Sequence, residues 1–148
     1  MYPALLHIHS FLRYLVLLLL VIVVVKSFVG WVGKLRFSNL DNKFSLWLLI
    51  VTHTQLLIGL FLYFVSPFVQ FNGNTMKDFT TRYWTVEHGF MMILAIALIT
   101  IGRITYKKLP NDAVKHQRLF LMNGVALIII IIAIVSGGRG LLASSWMR

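Results

Sequence analysis

The chain has 148 residues, of which 59% are hydrophobic and only 12% are charged, and its mean hydropathy is +0.84. A soluble domain carries about 25% charged residues, so this composition excludes that class. The absence of cysteine excludes disulfides, thiolate metal sites, iron–sulfur clusters and covalently attached haem, and the 14 basic residues of this +10 chain are too dispersed to predict a nucleic-acid partner.

Four apolar stretches are long enough to cross a bilayer, whose core of about 30 Å needs about 20 mostly apolar residues per helix. They predict transmembrane helices over about 5–29, 44–65, 83–106 and 113–135. Strands are excluded because the β-branched runs do not alternate with polar residues. The predicted fold is therefore all-α, an integral-membrane four-helix transmembrane bundle in one domain, 1–148.

The connections between these helices carry capping and turn residues. They are Gly30 and Gly33 after the first helix, Ser38 or Asp41 before the second, Ser66-Pro67 after it, Asn72-Gly73-Asn74 in the longest loop, and Asn111 or Asp112 before the fourth. The first helix lacks the cleavage signal of a secretory peptide, so we expect it to be retained. The tail after residue 137 is expected to be irregular and interfacial, with Trp146 as an anchor.

Basic residues beside the helix ends predict the orientation. The first connection and its flanks hold Lys26, Lys34, Arg36 and Lys43, and the third holds Arg103, Lys107, Lys108, Lys115 and Arg118. The second connection, 68–82, holds only Lys77 and Arg82. By the positive-inside rule the first and third connections are cytoplasmic, and both termini lie outside.

All five histidines lie on or beside the predicted helices: His7 and His9 on the first, His53 on the second, His88 on the third and His116 on the fourth. Neutral imidazole is a common ligand of metals and haem, so these residues are the candidate ligands. Polar groups inside a transmembrane segment are costly, which favours a function for them. An interfacial position for His7 and His116, or a hydrogen bond to a neighbouring helix for His53, remains a structural alternative.

The depth of each histidine in its helix predicts which of them can share one haem. His9 and His88 both lie near the outer starts of their helices and are level. His53 lies about ten residues into the second helix, whereas His116 is near the first turn of the fourth, which leaves a mismatch of about 10 Å at 1.5 Å per residue. The outer pair is therefore the better candidate, and the inner pair requires a tilt or a shifted boundary.

His7 and His9 point to nearly opposite sides of the helix because they are two residues apart. His9 shares a face with Arg13, whose guanidinium can hold a haem propionate, a quinone oxygen or Glu87. We therefore predict His9 as the ligand, with His7 in reserve. A hydrolytic active site is not indicated, since the sequence has only four acidic residues and lacks the usual catalytic motifs.

The motifs that carry a family resemblance are Leu6-His7-Ile8-His9-Ser10-Phe11-Leu12-Arg13, Thr52-His53-Thr54-Gln55, Val86-Glu87-His88, Ile101-Gly102-Arg103 and Lys115-His116-Gln117-Arg118. With them the chain resembles small four-helix bacterial membrane proteins labelled cytochrome b and, more loosely, cytochrome b561-type electron carriers. The resemblance implies one or two non-covalent haem b groups with histidine ligands in the bacterial cytoplasmic (inner) membrane. It also implies electron exchange with a quinone or with another subunit of a membrane complex.

The leading hypothesis is a b-type haem electron-transfer protein or subunit, at most an oxidoreductase component. His9 and His88 would ligate an outer haem, and His53 with His116 an inner one. Two other hypotheses remain open. One is a cofactor-free accessory subunit of a larger, for example respiratory, membrane complex, and the other is a small transporter that uses His53, Gln55 and Arg13 as an intramembrane path.

Overall fold

The computed structural model describes residues 2–66 and 69–136. These residues form α1 (Tyr2–Val32), α2 (Asn39–Val65), the single turn α3 (Phe79–Arg82), a π-helical segment (Tyr83–Glu87), α4 (His88–Tyr106) and α5 (Asp112–Ser136), with no strand among them. By length and composition, four helices in this part can cross a membrane. The predicted all-α four-helix bundle is confirmed, and the chain is a multi-pass membrane protein. The predicted tail with Trp146 lies outside the described residues.

Two of the predicted capping residues set the helix starts. The Ser38 hydroxyl accepts a hydrogen bond from the Asp41 N–H at 3.2 Å, and the Asp41 carboxylate accepts one from the Ser38 N–H at 2.9 Å, which forms a capping box. This box starts α2 at Asn39, before the predicted start at residue 44, because the polar first turn is helical as well. The Asn111 side chain caps α5 by accepting from the Val114 N–H at 3.0 Å.

The first helix does not stop at Gly30. It continues to Val32, and the chain turns at Lys34, whose positive φ of 53° is rare for a residue with a side chain. Gly30 is instead buried inside the helix, where the side chain of His116 from α5 packs against it. A glycine within an apolar helix was therefore a packing signal rather than a stop signal.

The four long helices form an incomplete ring. α1 packs against α2 on one side and α5 on the other, α5 packs against α4, and α4 touches α2 much less. Buried residues from all four helices form the core: Leu20, Val23, Leu48, Ala95, Ile99, Ala126 and Ile130. Ala95 and Ala126 are fully buried, and such small residues let α4 and α5 approach closely. The weakly closed side between α2 and α4 leaves room for a cavity.

A polar cluster fastens the end of the bundle at which α2 begins and α4 ends. The buried Arg103 guanidinium donates to the carbonyl and the side-chain oxygen of Asn42, both at 3.2 Å. The Tyr106 hydroxyl donates to the same side-chain oxygen at 2.7 Å. We call this the inner end, after the predicted orientation, and the opposite end the outer end. This network fixes the start of α2 against α4 at the inner end, so the two helices diverge only beyond it.

Most of each helix faces away from the bundle. Between 22% and 28% of each membrane-spanning window is buried, and large apolar side chains such as Phe11, Phe61, Phe64 and Phe90 are exposed. Such a surface would be unstable in water but is the ordinary exterior of a helix in lipid. The apolar helices therefore place the chain in a lipid bilayer.

Candidate functional site

A cavity of about 350 Å³ lies toward the outer end, between α2 and α4, with α1 and α5 behind it. Its walls are mostly apolar. The polar side chains that reach it are His9, Arg13, Gln55, Tyr63, Thr85 and His88. A mostly apolar cavity with a few convergent polar groups is the usual form of a binding site for a small molecule or cofactor.

His9 of α1 and His88 of α4 meet across this cavity. Their ring centres are 6.4 Å apart and their planes cross at 70°. Both side chains are half-buried, so neither ring is simply an exposed interfacial group. The structure thus brings together the two histidines that the sequence placed at one depth.

The α2 helix supports His9 from the side. Gln55 donates from Nε2 to the His9 carbonyl at 2.8 Å, and its side-chain oxygen is buried and has no hydrogen-bond partner among the described residues. One turn further along, Gly59 faces the His9 ring, which would lie 3.4 Å from a Cβ at that position. Gly59 therefore keeps open the space beside the imidazole.

Arg13 lines the same cavity one turn further along α1 from His9. Its guanidinium donates to the Tyr14 hydroxyl at 3.0 Å and lies 4.8 Å from the centre of the Tyr14 ring. A permanent positive charge beside an apolar cavity favours a ligand that carries an anionic group. Glu87, one of the partners predicted for Arg13, forms an ion pair with Arg82 at 2.9 Å.

His88 follows directly on the π-helical segment. The His88 N–H donates to the carbonyl of Tyr83, five residues earlier, where an α-helix would use the residue four earlier. Tyr83 is buried and its hydroxyl donates to the Ala133 carbonyl of α5, while its ring centre lies 5.8 Å from that of His88. Short π-helical turns occur frequently at functional sites.

The loop before α3 is tied to the π-helical segment at the outer end of the cavity. The buried Thr85 hydroxyl accepts from the Gln70 N–H at 3.0 Å, and the Thr85 carbonyl accepts from the Tyr63 hydroxyl at 2.7 Å. Thr75 donates from its hydroxyl to the Gln70 carbonyl at 2.6 Å. These bonds hold the loop against the helix that carries His88, and sequence reasoning missed them because nothing local indicates a partner 15 residues away.

The structure does not bring His53 and His116 together. His53 is exposed on α2, and its Nδ1 donates to the Leu49 carbonyl of its own helix at 2.9 Å. His116 is 1% exposed and lies against Gly30 of α1, with its ring centre 5.1 Å from that of Phe37. The two residues therefore lie in different surroundings, His53 on an exposed face and His116 buried against α1, because depth along a helix does not fix the side from which a residue projects.

His7 is exposed on α1, while His9 is half-buried, as expected for residues two positions apart. Within the described ranges, no three or more of the residues His, Cys, Asp and Glu come together as a metal site. Any metal held between His9 and His88 would therefore take its remaining ligands from elsewhere.

Comparisons with protein-family models, with curated proteins and with solved structures find no match to this chain. No relative therefore supplies a role for its residues. Function has to be argued from the geometry and chemistry of the cavity itself.

Proposed function

We propose that the chain is a membrane-bound b-type haem protein that transfers single electrons, in which His9 and His88 would hold one haem. The observation that carries this proposal is the placement of the two imidazoles across the cavity, with their ring centres 6.4 Å apart. The family resemblance of the sequence motifs points the same way.

The separation of the rings can be compared with the separations expected for different kinds of metal site. Bonds from a metal ion to imidazole nitrogen are about 2.0–2.1 Å long, so two imidazoles on opposite sides of one ion have ring centres about 6 Å apart. At a tetrahedral angle the same bonds bring the ring centres to about 5 Å. The observed 6.4 Å is closer to the wider of these two separations.

The surroundings of the pair also fit a haem. The cavity is mostly apolar, Gly59 leaves the space beside His9 open, and the weak contact between α2 and α4 leaves a gap for a flat macrocycle. Arg13 supplies a permanent positive charge for a propionate. When bound, haem supplies the one-electron chemistry, and the chain sets the ligands and their burial.

The wider setting follows from this assignment. We place the protein in the bacterial cytoplasmic membrane, with a quinone or another subunit of a respiratory complex as its electron partner. The transporter hypothesis loses support, because Gln55 and Arg13 line the cavity while His53 projects from the exposed face of α2. The remaining alternative is a cofactor-free accessory subunit, and a direct test of haem binding distinguishes it from the proposed haem protein.

The test is the dithionite-reduced minus oxidised visible spectrum of the purified full-length protein, with haem quantified per chain. We expect a sharp reduced α-band that is lost in His9→Ala and in His88→Ala. His53→Ala is the matched control, since it removes an exposed imidazole from a transmembrane helix and should keep the band. A colourless protein from cells with ample haem would overturn the proposal in favour of the accessory subunit.

A further inference from the structure

The helix that carries His88 contains one residue more than an α-helix would need between its two anchored parts. In a regular α-helix each residue advances about 100°, so Glu87 would share a face with Tyr83, and His88 would be turned away from that face by about 140°. In the structure the turn closes instead between Tyr83 and His88. The extra residue thus determines which later side chain lies on the same face of the helix as Tyr83.

Both parts of this helix are fixed independently. At the start of the π-helical turn, Tyr83 is 2% exposed and bonded to α5, and Thr85 within the turn is bonded to the loop. After it, Ala95 and Ile99 are buried in the core of the bundle. Neither part can rotate freely about the helix axis, so the extra residue is accommodated by the π-helical turn between them.

The geometry points to the π-helical turn as a positioning device, in which the extra residue presents His88 rather than Glu87 to His9. This inference rests on the proposed function, because the position of His88 matters for function only if this residue binds haem. Glu87 in that position would place a carboxylate in an apolar cavity beside the His9 ring, where burial of a charge is costly. In the structure its carboxylate pairs with Arg82 instead, with about a third of each side chain exposed.

Cysteine crosslinking tests the register without haem. The chain has no cysteine, so two introduced thiols are the only ones present. In full-length protein in membranes, His9→Cys is combined either with His88→Cys or with Glu87→Cys and treated with a short bifunctional thiol reagent. We expect the first pair to react on the order of tenfold faster, because only its members face one another. Equal rates, or faster reaction of the pair with Glu87→Cys, would overturn the inference.

Changes of length test the same register with the ligands intact. Deleting Val86, which is exposed, leaves His88 four residues after Tyr83, so an α-helical turn still presents the histidine and the α-band should remain. Inserting one alanine between Thr85 and Val86 rotates His88 by about 100° more and should abolish the band. Equal loss in both variants would contradict the inference.

The two proposals fail separately. If the parent chain has no α-band but the crosslinking preference persists, the haem assignment is wrong and the register is right. If the α-band is present and depends on His88, but the crosslinking preference is absent, the haem assignment stands and the π-helical turn does not position the ligand. Melting temperatures of all variants identify any that fail to fold.

Discussion

The imidazole of His116 lies so close to the backbone of Gly30 that a methyl group at position 30 would come within 2.4 Å of the ring. This contact joins α5 to α1 near the inner end. It makes Gly30 intolerant of any side chain unless the histidine or a whole helix moves.

Gly30→Ala should therefore destabilise the bundle by about 1–3 kcal/mol, the usual cost of overpacking. Thermal unfolding in detergent measures the change. Gly124→Ala is the matched control, because a Cβ there has nothing within 4 Å and alanine favours the helix. Equal stability of the Gly30 variant and the parent would contradict the observed packing.

Replacing His116 tests whether the residue serves packing or ligation. Both ring nitrogens are buried and have no hydrogen-bond partner within the described residues, so His116→Leu should be close to neutral or stabilising. Haem per chain should not change. A loss of about half the haem in this variant would indicate that His116 holds a second group.

Filling the space beside His9 should exclude the proposed haem without unfolding the chain. Gly59→Leu places a branched side chain against the His9 ring and into the cavity, so haem per chain should fall severalfold while the melting temperature of the haem-free protein is maintained. Leu57→Ala, at an exposed position two residues earlier on α2, should bind haem normally. Full loading of the Gly59 variant would show that the cavity is not the binding site.

Removing the positive charge of Arg13 should lower the reduction potential of the proposed haem. A guanidinium beside a propionate offsets negative charge near the haem and so favours the reduced state. Arg13→Gln should lower the midpoint by on the order of 60 mV, a tenfold change in the equilibrium for one electron. Arg13→Lys keeps the charge and should shift it less. A redox titration of both variants and the parent measures these shifts. Equal midpoint potentials for Arg13→Gln and the parent would show that Arg13 does not act on the haem.

Acid should weaken the start of α3. The Thr81 hydroxyl and N–H both donate to the Asp78 carboxylate, at 2.6 and 2.9 Å, and they lower the pKa of Asp78 from its ordinary value of 3.8. A carboxyl group with a lowered pKa stabilises the folded state above its ordinary value, and this contribution is lost as the pH falls through the folded pKa. Hydrogen exchange at Thr81 and Arg82 should therefore show lower protection in acid, and Asp78→Ala should abolish this dependence.

The sequence predicted how deep each residue lies along its helix well, but it predicted poorly the side of the helix from which the residue projects. A rise of 1.5 Å per residue sufficed to place His9 level with His88, and the Ser38 and Asn111 caps follow from local hydrogen bonding. The exposed position of His53 could not be predicted, because α2 is apolar around most of its circumference and no polar stripe marks its outer side.

The π-helical turn could not be predicted from the sequence either. Its register is set by contacts from Tyr83 to α5 and from Thr85 to the loop, each of which joins residues distant in the chain. The sequence suggested Glu87 as a possible partner of Arg13, whereas in the structure the Glu87 carboxylate accepts a hydrogen bond from Arg82. Long-range packing, rather than helix propensity, decided this part of the site.

The weak contact between α2 and α4 also bears on how the protein is assembled. The opening between these helices is bordered by Leu60, Phe90 and Ile93, all exposed apolar side chains that face lipid rather than water. A flat hydrophobic molecule dissolved in the membrane can therefore reach the histidines sideways, after all four helices have been inserted. For the proposed haem, insertion of the chain and loading of the group would then be separate events, and the membrane would serve as the reservoir between them.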